Sequence, residues 1–329
     1  MSAAKGILAF SMRTSFPWFR ILLGVGGLAL LAGIVHHVGV DVIVATLRPA
    51  LPWVSVLAAI ELVRIGCATL GSYLAFGAIA KKIPRALLFR AHVLGHSIGQ
   101  VAPAPTVFNE TIKATFITPY TGVGPAAAVG FANQAATFVA NGLFTIPCAL
   151  AIFALQGPSI WFYACLVHTV VLVASGIALQ AATRADAPGR LLVKRLPKLA
   201  ARAEAFREHA RGIRIGVRGP TEMLFVSRCF QMVQYGVAAH AVGIDFSALR
   251  VLASEGVHLV SMAVGVMVPG GFGATEGAFT LAATLLDTTV AKATSMALLM
   301  RCMQLIWVAI ASVIAIATRG PERGASDQK

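Results

Sequence analysis

The sequence predicts an all-α polytopic membrane protein, with about six full spans and two re-entrant helical hairpins in an inverted repeat. Composition is the first ground. Hydrophobic residues make up 57% of the 329 and charged residues only 12%, with a mean hydropathy of +0.80. Soluble domains carry about 25% charged residues. The second ground is length: apolar runs of about twenty residues recur, the reach a helix needs to cross a bilayer. The third is that two long apolar stretches are broken mid-way by proline and glycine, and each carries a carboxylate just past its break.

The elements follow in order within a single membrane domain, 1–329. A short tail containing Lys5, Arg13 and Arg20 leads into a first span near 19–40, and no small-residue cleavage site follows that run, so it is expected to be retained. A span at 53–80 comes next. The stretch 91–118 is interrupted at "APAPT", where Pro103 and Pro105 remove backbone donors. Spans at 125–155 and 160–181 follow, then a basic segment, 184–218. A span at 222–243 precedes the second interrupted stretch, 250–286, which breaks at "PGGFG" with Pro269, Gly270, Gly271 and Gly273. A last span covers 293–318. Each interrupted stretch reads as two half-helices joined by irregular backbone, which survives at membrane depth only where protein or water surrounds it.

Charge sets the expected orientation, since basic residues favour cytoplasmic loops. Lys81, Lys82, Arg85 and Arg90, the 184–218 loop, and the tail with Arg319 and Arg323 belong inside, so both termini are cytoplasmic. The links near Asp41 and Asp245 suit the outside. The parity closes if both interrupted stretches return to the side they entered from; a ten-span arrangement in which both cross gives the same ends. In 184–218, Leu192, Leu196, Leu199 and Phe206 fall near helical spacing among Arg and Lys. This pattern suits either a helix on the inner leaflet touching anionic lipid or a solvated basic linker.

An offset of 166 residues aligns the interrupted stretches: His92 with His258, Gly99 with Gly265, Pro103 with Pro269, Glu110 with Glu276. With the charge argument, this makes 53–155 and 222–318 two repeats of opposite orientation. Inverted repeats with broken helices are a recurring plan of secondary transporters.

Acids and bases inside spans cost about 2.5–3.5 kcal/mol to insert, so they face the bundle interior. They are Glu61, Arg64, Glu110, Lys113, Arg228, Glu255, Glu276 and Arg301. Glu276 follows the glycine break and has a repeat mate in Glu110. It suits a proton or a cationic or hydroxylated headgroup; capping the second half-helix is the structural alternative. Arg64 and Arg301 suit phosphate, because the guanidinium fork binds it bidentately. Glu61–Arg64 and Glu110–Lys113 are also spaced for local ion pairs, Arg228 for snorkelling to the interface. Asn133, Gln134 and Asn141 suit hydrogen bonding between helices.

The net charge of +14 does not imply nucleic acid, because the basic residues sit in the links. Cys67, Cys148, Cys165, Cys229 and Cys302 show no metal or disulfide spacing and read as packing residues. No HExxH, Walker or GxSxG motif is present, so no enzyme chemistry, metal or cofactor is expected.

At "VPGGFGATEGAFTLAATLL", followed by "ALLMRCMQLIW", the chain resembles the flippase-like membrane family. That family includes the membrane half of lysylphosphatidylglycerol synthases and hopanoid-associated membrane proteins. Its late signature maps onto Pro269, Gly270, Gly271, Gly273, Glu276, Gly277 and Arg301. Its early Gly-Gly-Glu-x-x-Arg motif corresponds to "FNETIKA", with Glu110 and Lys113 as acid and base and with Phe108 and Asn109 in place of the glycines. The resemblance implies movement of a lipid or lipid-linked molecule, hopanoid-type or modified phospholipid, between leaflets of the bacterial inner membrane. Ending at Lys329, the chain is not expected to aminoacylate lipid. A membrane-embedded enzyme of lipid biosynthesis and a scaffold for lipid-biosynthesis enzymes are the alternatives.

Overall fold

A computed structural model describes residues 25, 29, 31–102, 105–184, 200–212, 218–245 and 247–317. Among them all regular structure is helical. Helix α1 (Leu31–Val38) meets α2 (Val40–Leu47) at Gly39, whose φ of 94° turns the chain through 88°. The expected first span therefore bends at Gly39; its residues 19–24, 26–28 and 30 lie outside the described ones. Next come α3 (Trp53–Phe76), continued as a 3-10 turn to Lys82, then α4 (Arg85–Val101) and α5 (Pro105–Thr121). They are followed by α6 (Val123–Gln156), α7 (Ile160–Arg184) and α8 (Ala200–Gly212). The chain closes with α9 (Arg218–Ala241), α10 (Ala248–Val264), α11 (Ala274–Leu281) and α12 (Val290–Ala317).

Four described helices are long and apolar enough to cross a membrane: α3 with its 3-10 turn, α6, α7 and α12; α1 with α2 makes a fifth if the bent pair is one span. The chain is a multi-pass membrane protein. The fifth expected span, 222–243, is helical as α9 but too polar to join that group. Its Arg228, Gln231 and Gln234 are turned onto α3, α6 and α10.

Both breaks are present. The described part of the first ends with Ala102 extended and resumes with Pro105 opening α5, a position where the missing N–H costs nothing. Pro103 lies outside the described residues. The arms fold back side by side: a Cβ added to Gly99 would lie 3.0 Å from the Pro105 carbonyl oxygen. The second break has 3-10 turns at Gly265–Met267 and Pro269–Gly271, with Val268 extended between them. Gly270 has φ 68°, and a Cβ there would lie 2.6 Å from the Phe272 ring, so only glycine fits. Here too the arms fold back: a Cβ on Gly265, the repeat mate of Gly99, would sit 3.0 Å from the Ala274 Cβ. The returning arms differ. α5 has 17 residues, but α11 has 8 and gives way to turns.

Between lipid-facing helices the driving force is close packing rather than water exclusion, so small residues mark the contacts. α6 and α7 meet at Gly142 and Gly176, where an added Cβ would lie 3.1 Å and 2.9 Å from the carbonyls of Thr169 and Ala135. Val167, Val170, Val313 and Ile316 stay on the outside of α7 and α12. The central core gathers Leu57, Tyr235, Val257, Phe279, Met296 and Trp307 from five helices. α3 and α9 run antiparallel, with Arg64 beside Gln231 at one level and Gly71 beside Pro220 at another. In the segment that suits either a leaflet-lying helix or a solvated linker, the described part is the helix α8, which packs on α6 with Phe206 edge-on to Phe131 at 5.8 Å and Ala205 against Gly124. Leu192, Leu196 and Leu199 lie outside the described residues.

Candidate functional site

The second break is closed by two residues named from sequence. Gly273, with φ 78°, caps α11, and its N–H donates to Glu276 Oε2 at 2.9 Å. Glu276 Oε1 accepts from Arg301 Nε on α12 at 3.0 Å. Arg301 Nη1 donates to the Gly270 carbonyl at 2.6 Å and to Gln304 Oε1 at 3.0 Å, and Nη2 to the Gly271 carbonyl at 3.4 Å. The guanidinium also lies 4.7 Å from the Phe272 ring centroid. Carbonyls that the break frees from helical partners are thus satisfied by side chain, as low-dielectric surroundings demand.

A second network ties α3, α4 and α9. Glu61 is 1% exposed and accepts from Arg64 Nη1 at 2.5 Å and from Gln234 Nε2 at 2.9 Å; His96 Nε2 lies 2.5 Å from its other oxygen. Arg64 donates further to Gln234 Oε1 at 3.0 Å, Gln231 Oε1 at 2.6 Å and the Ser227 carbonyl at 3.3 Å. The local pair expected from spacing is present, within a larger set. Arg228 donates to Asn141 Oδ1 at 2.7 Å and to Gln231 Oε1, and its Nη1 lies 3.6 Å from Glu255. It faces inward on α9 rather than snorkelling. Asn133 bonds Ser72 at 2.7 Å, so α6 hydrogen-bonds its neighbours as its amides implied.

Among the described residues, two adjoining chambers lie between these networks. A charged chamber of about 250 Å³ is lined by Glu61, Arg64, His96, Glu110 and Lys113 among others. A second chamber, about 320 Å³, is more apolar, with Phe138, Leu172, Leu259 and Val266 in its wall and Gly270, Gly271 and Arg301 at one edge. Thr137, Asn141, Arg228, Met262 and Gln304 line both, so the chambers adjoin. The first break borders both chambers through Pro105, and the second borders the more apolar one through Gly270 and Gly271.

The site residues named from sequence therefore divide. Glu110 and Lys113 form an ion pair in the charged chamber wall, and Arg64 lies in the same wall. Glu276 is fully buried and lines neither of these two chambers. The capping alternative is the geometry found: Glu276 accepts from the Gly273 N–H at the start of α11, and Gly273 and Arg301 together engage both its oxygens. Its repeat mate Glu110 has a partner one turn away and stays on the cavity side. Sequence reading left Arg228 outside the site. Asn141 and Glu255, which identify its surroundings, are far along the chain; only the polar run Arg228, Gln231, Gln234 along one face of α9 hinted at it.

The family described as lysylphosphatidylglycerol synthase TM region matches residues 18–312, nearly the whole chain. No curated protein and no solved structure matches it.

Proposed function

Because the chain belongs to the lysylphosphatidylglycerol synthase TM-region family, we propose that it moves a lipid, or a lipid-linked molecule, between leaflets of the bacterial inner membrane. One observation carries the reading: a charged chamber opens onto a more apolar one between two broken helices. A lipid has that same division. Its headgroup suits the chamber of Arg64, His96, Glu110 and Lys113, and an acyl chain suits the wall of Phe138, Leu172 and Leu259. The cargo of this proposal is a modified phospholipid or a hopanoid-type lipid bearing a polar head. The chamber carboxylates hold charge and position; no bond of the cargo is broken.

The antiparallel run of α3 and α9 supports treating 53–155 and 222–318 as inverted halves that exchange conformations. In that picture both termini are cytoplasmic, the 184–218 loop touches anionic lipid, and lipid-biosynthesis enzymes supply the cargo. The test is reconstitution into vesicles carrying a headgroup-labelled phospholipid, with a membrane-impermeant quencher outside. Quenching beyond the protein-free plateau supports transfer; an unchanged plateau contradicts it.

A further inference from the structure

Hydrogen bonding separates the three interior arginines. Arg64 and Arg301 each use Nε, Nη1 and Nη2 on protein acceptors. Arg228 uses only Nε and Nη1, and among the described residues its Nη2 has no partner. It also lines both chambers, at their junction. Its counter-charge is poorly made. Glu255 on α10 is fully buried, 3.6 Å from Arg228, and neither of its oxygens carries a hydrogen bond among the described residues. That separation is beyond a direct hydrogen bond.

Among the described residues no other group takes over this role. From α9, Tyr235 is the second titratable neighbour of Glu255; from α3 it is Arg64, which is already paired, and from α6 Cys148. On α7, Cys165 packs against Gly256 and His168 is bonded to Thr145. The acid of α11, Glu276, is held by Arg301. On α10 itself, His258 is fixed as neutral. Gln231 Oε1 accepts from both Arg64 and Arg228, so Gln231 Nε2 is the donor to His258 Nε2 at 2.8 Å. The His258 proton is then on Nδ1, and the ring adds no positive charge.

We propose that Arg228 exchanges partners: with the cavity empty it neutralises Glu255, and when a lipid phosphate reaches the junction it turns to the phosphate while Glu255 takes up one proton. The inference rests on the lipid-carrier reading above. A phosphate diester lies between the polar head and the apolar tails, as Arg228 lies between the charged and apolar chambers. Guanidinium binds phosphate through paired N–H groups. Once Arg228 has turned away, the buried carboxylate is uncompensated, and such a group neutralises by protonation. The balance is one proton from solvent onto Glu255 per phosphate bound, returned on release. Lipid binding is thereby linked to protonation of Glu255.

The experiment uses purified full-length protein in detergent and phosphatidylglycerol as probe, titrated calorimetrically in buffers of different ionisation enthalpy. Near one proton should be taken up per lipid bound, and the apparent Kd should rise with pH by up to about tenfold per unit. Glu255→Gln should bind with no proton uptake and a Kd independent of pH. Arg228→Gln, and Arg228→Lys as a charge-keeping control, should lose affinity for phosphatidylglycerol but not for diacylglycerol of the same chains. Wild-type binding without proton uptake and without pH dependence overturns the exchange and leaves the carrier reading intact. No binding of either lipid overturns the carrier reading. Proton-linked binding of glycerol phosphate alone supports the exchange and overturns the lipid.

Discussion

Arg301 and Glu276 meet at 3.0 Å across the second break, and the same guanidinium holds the Gly270 carbonyl at 2.6 Å. The pair therefore acts as a clasp on irregular backbone. Neutralising one member leaves the other as an unpaired buried charge, a change that costs about 3–5 kcal/mol. Glu276→Gln should lower the thermal midpoint of the detergent-solubilised protein. Arg301→Lys should do the same, because one ammonium does not reach the acid and both carbonyls. Midpoints measured by fluorescence-detected size exclusion check this; unchanged values in both variants contradict the clasp.

Gly273 caps α11 at φ 78°, a conformation that costs an L side chain roughly 1–2 kcal/mol. Gly273→Ala should destabilise by that amount. Gly66, on α3, has nothing near its absent side chain. Gly66→Ala is the control and should be neutral or better in the same assay.

Gln231 Oε1 serves two guanidinium groups, from Arg64 and Arg228. Hydrogen bonds to charged groups contribute about 1.5–3 kcal/mol each. Gln231→Leu removes both and should destabilise more than Ser72→Ala, which removes a single neutral bond from Asn133. The order of the two midpoints is the measurement.

Much of this arrangement could be read from residue types alone. Proline and glycine are expensive inside spans, so the clusters at 102–106 and 269–273 announced the breaks, and the 166-residue offset brought out their kinship. Gly99 and Gly265, matched by that offset, both sit where an added Cβ would meet the returning arm at 3.0 Å. The offset misled on the acids, since it implied one environment for Glu110 and Glu276. Their partners decide otherwise: Lys113 is three residues from Glu110, whereas Arg301 is on another helix from Glu276. Arg228 was obscured for the same reason, as Asn141 and Glu255 reach it only through tertiary packing. The docking of α8 on α6 depends on Gly124 receiving Ala205, a fit no periodicity reports.

The folding-back of both hairpins has a consequence for sidedness. Tyr120 lies at the end of α5, and Thr288 lies between α11 and α12. With the five native cysteines replaced, a cysteine at 120 should react with an impermeant thiol reagent from the cytoplasmic side, and one at 288 from the opposite side. The reverse at either position, measured in intact cells against inside-out vesicles, would show that hairpin crossing instead of returning.

Thr137 stands in the wall common to both chambers. Thr137→Trp should block the passage, reducing leaflet transfer to the protein-free level while the thermal midpoint stays close to wild type. Full transfer by a well-folded Thr137→Trp protein would show that cargo takes another route.

The most direct measurement is photo-crosslinking of the reconstituted protein with two phospholipids, one bearing a diazirine in its headgroup and one near the end of an acyl chain, with adducts located by mass spectrometry. The account predicts headgroup adducts on α3, α4 and α5 around Arg64, His96 and Lys113, and acyl adducts on α6, α7 and α10 around Phe138, Leu172 and Leu259. Adducts confined to outward-facing positions such as Val170 and Ile316, from both probes, would contradict it.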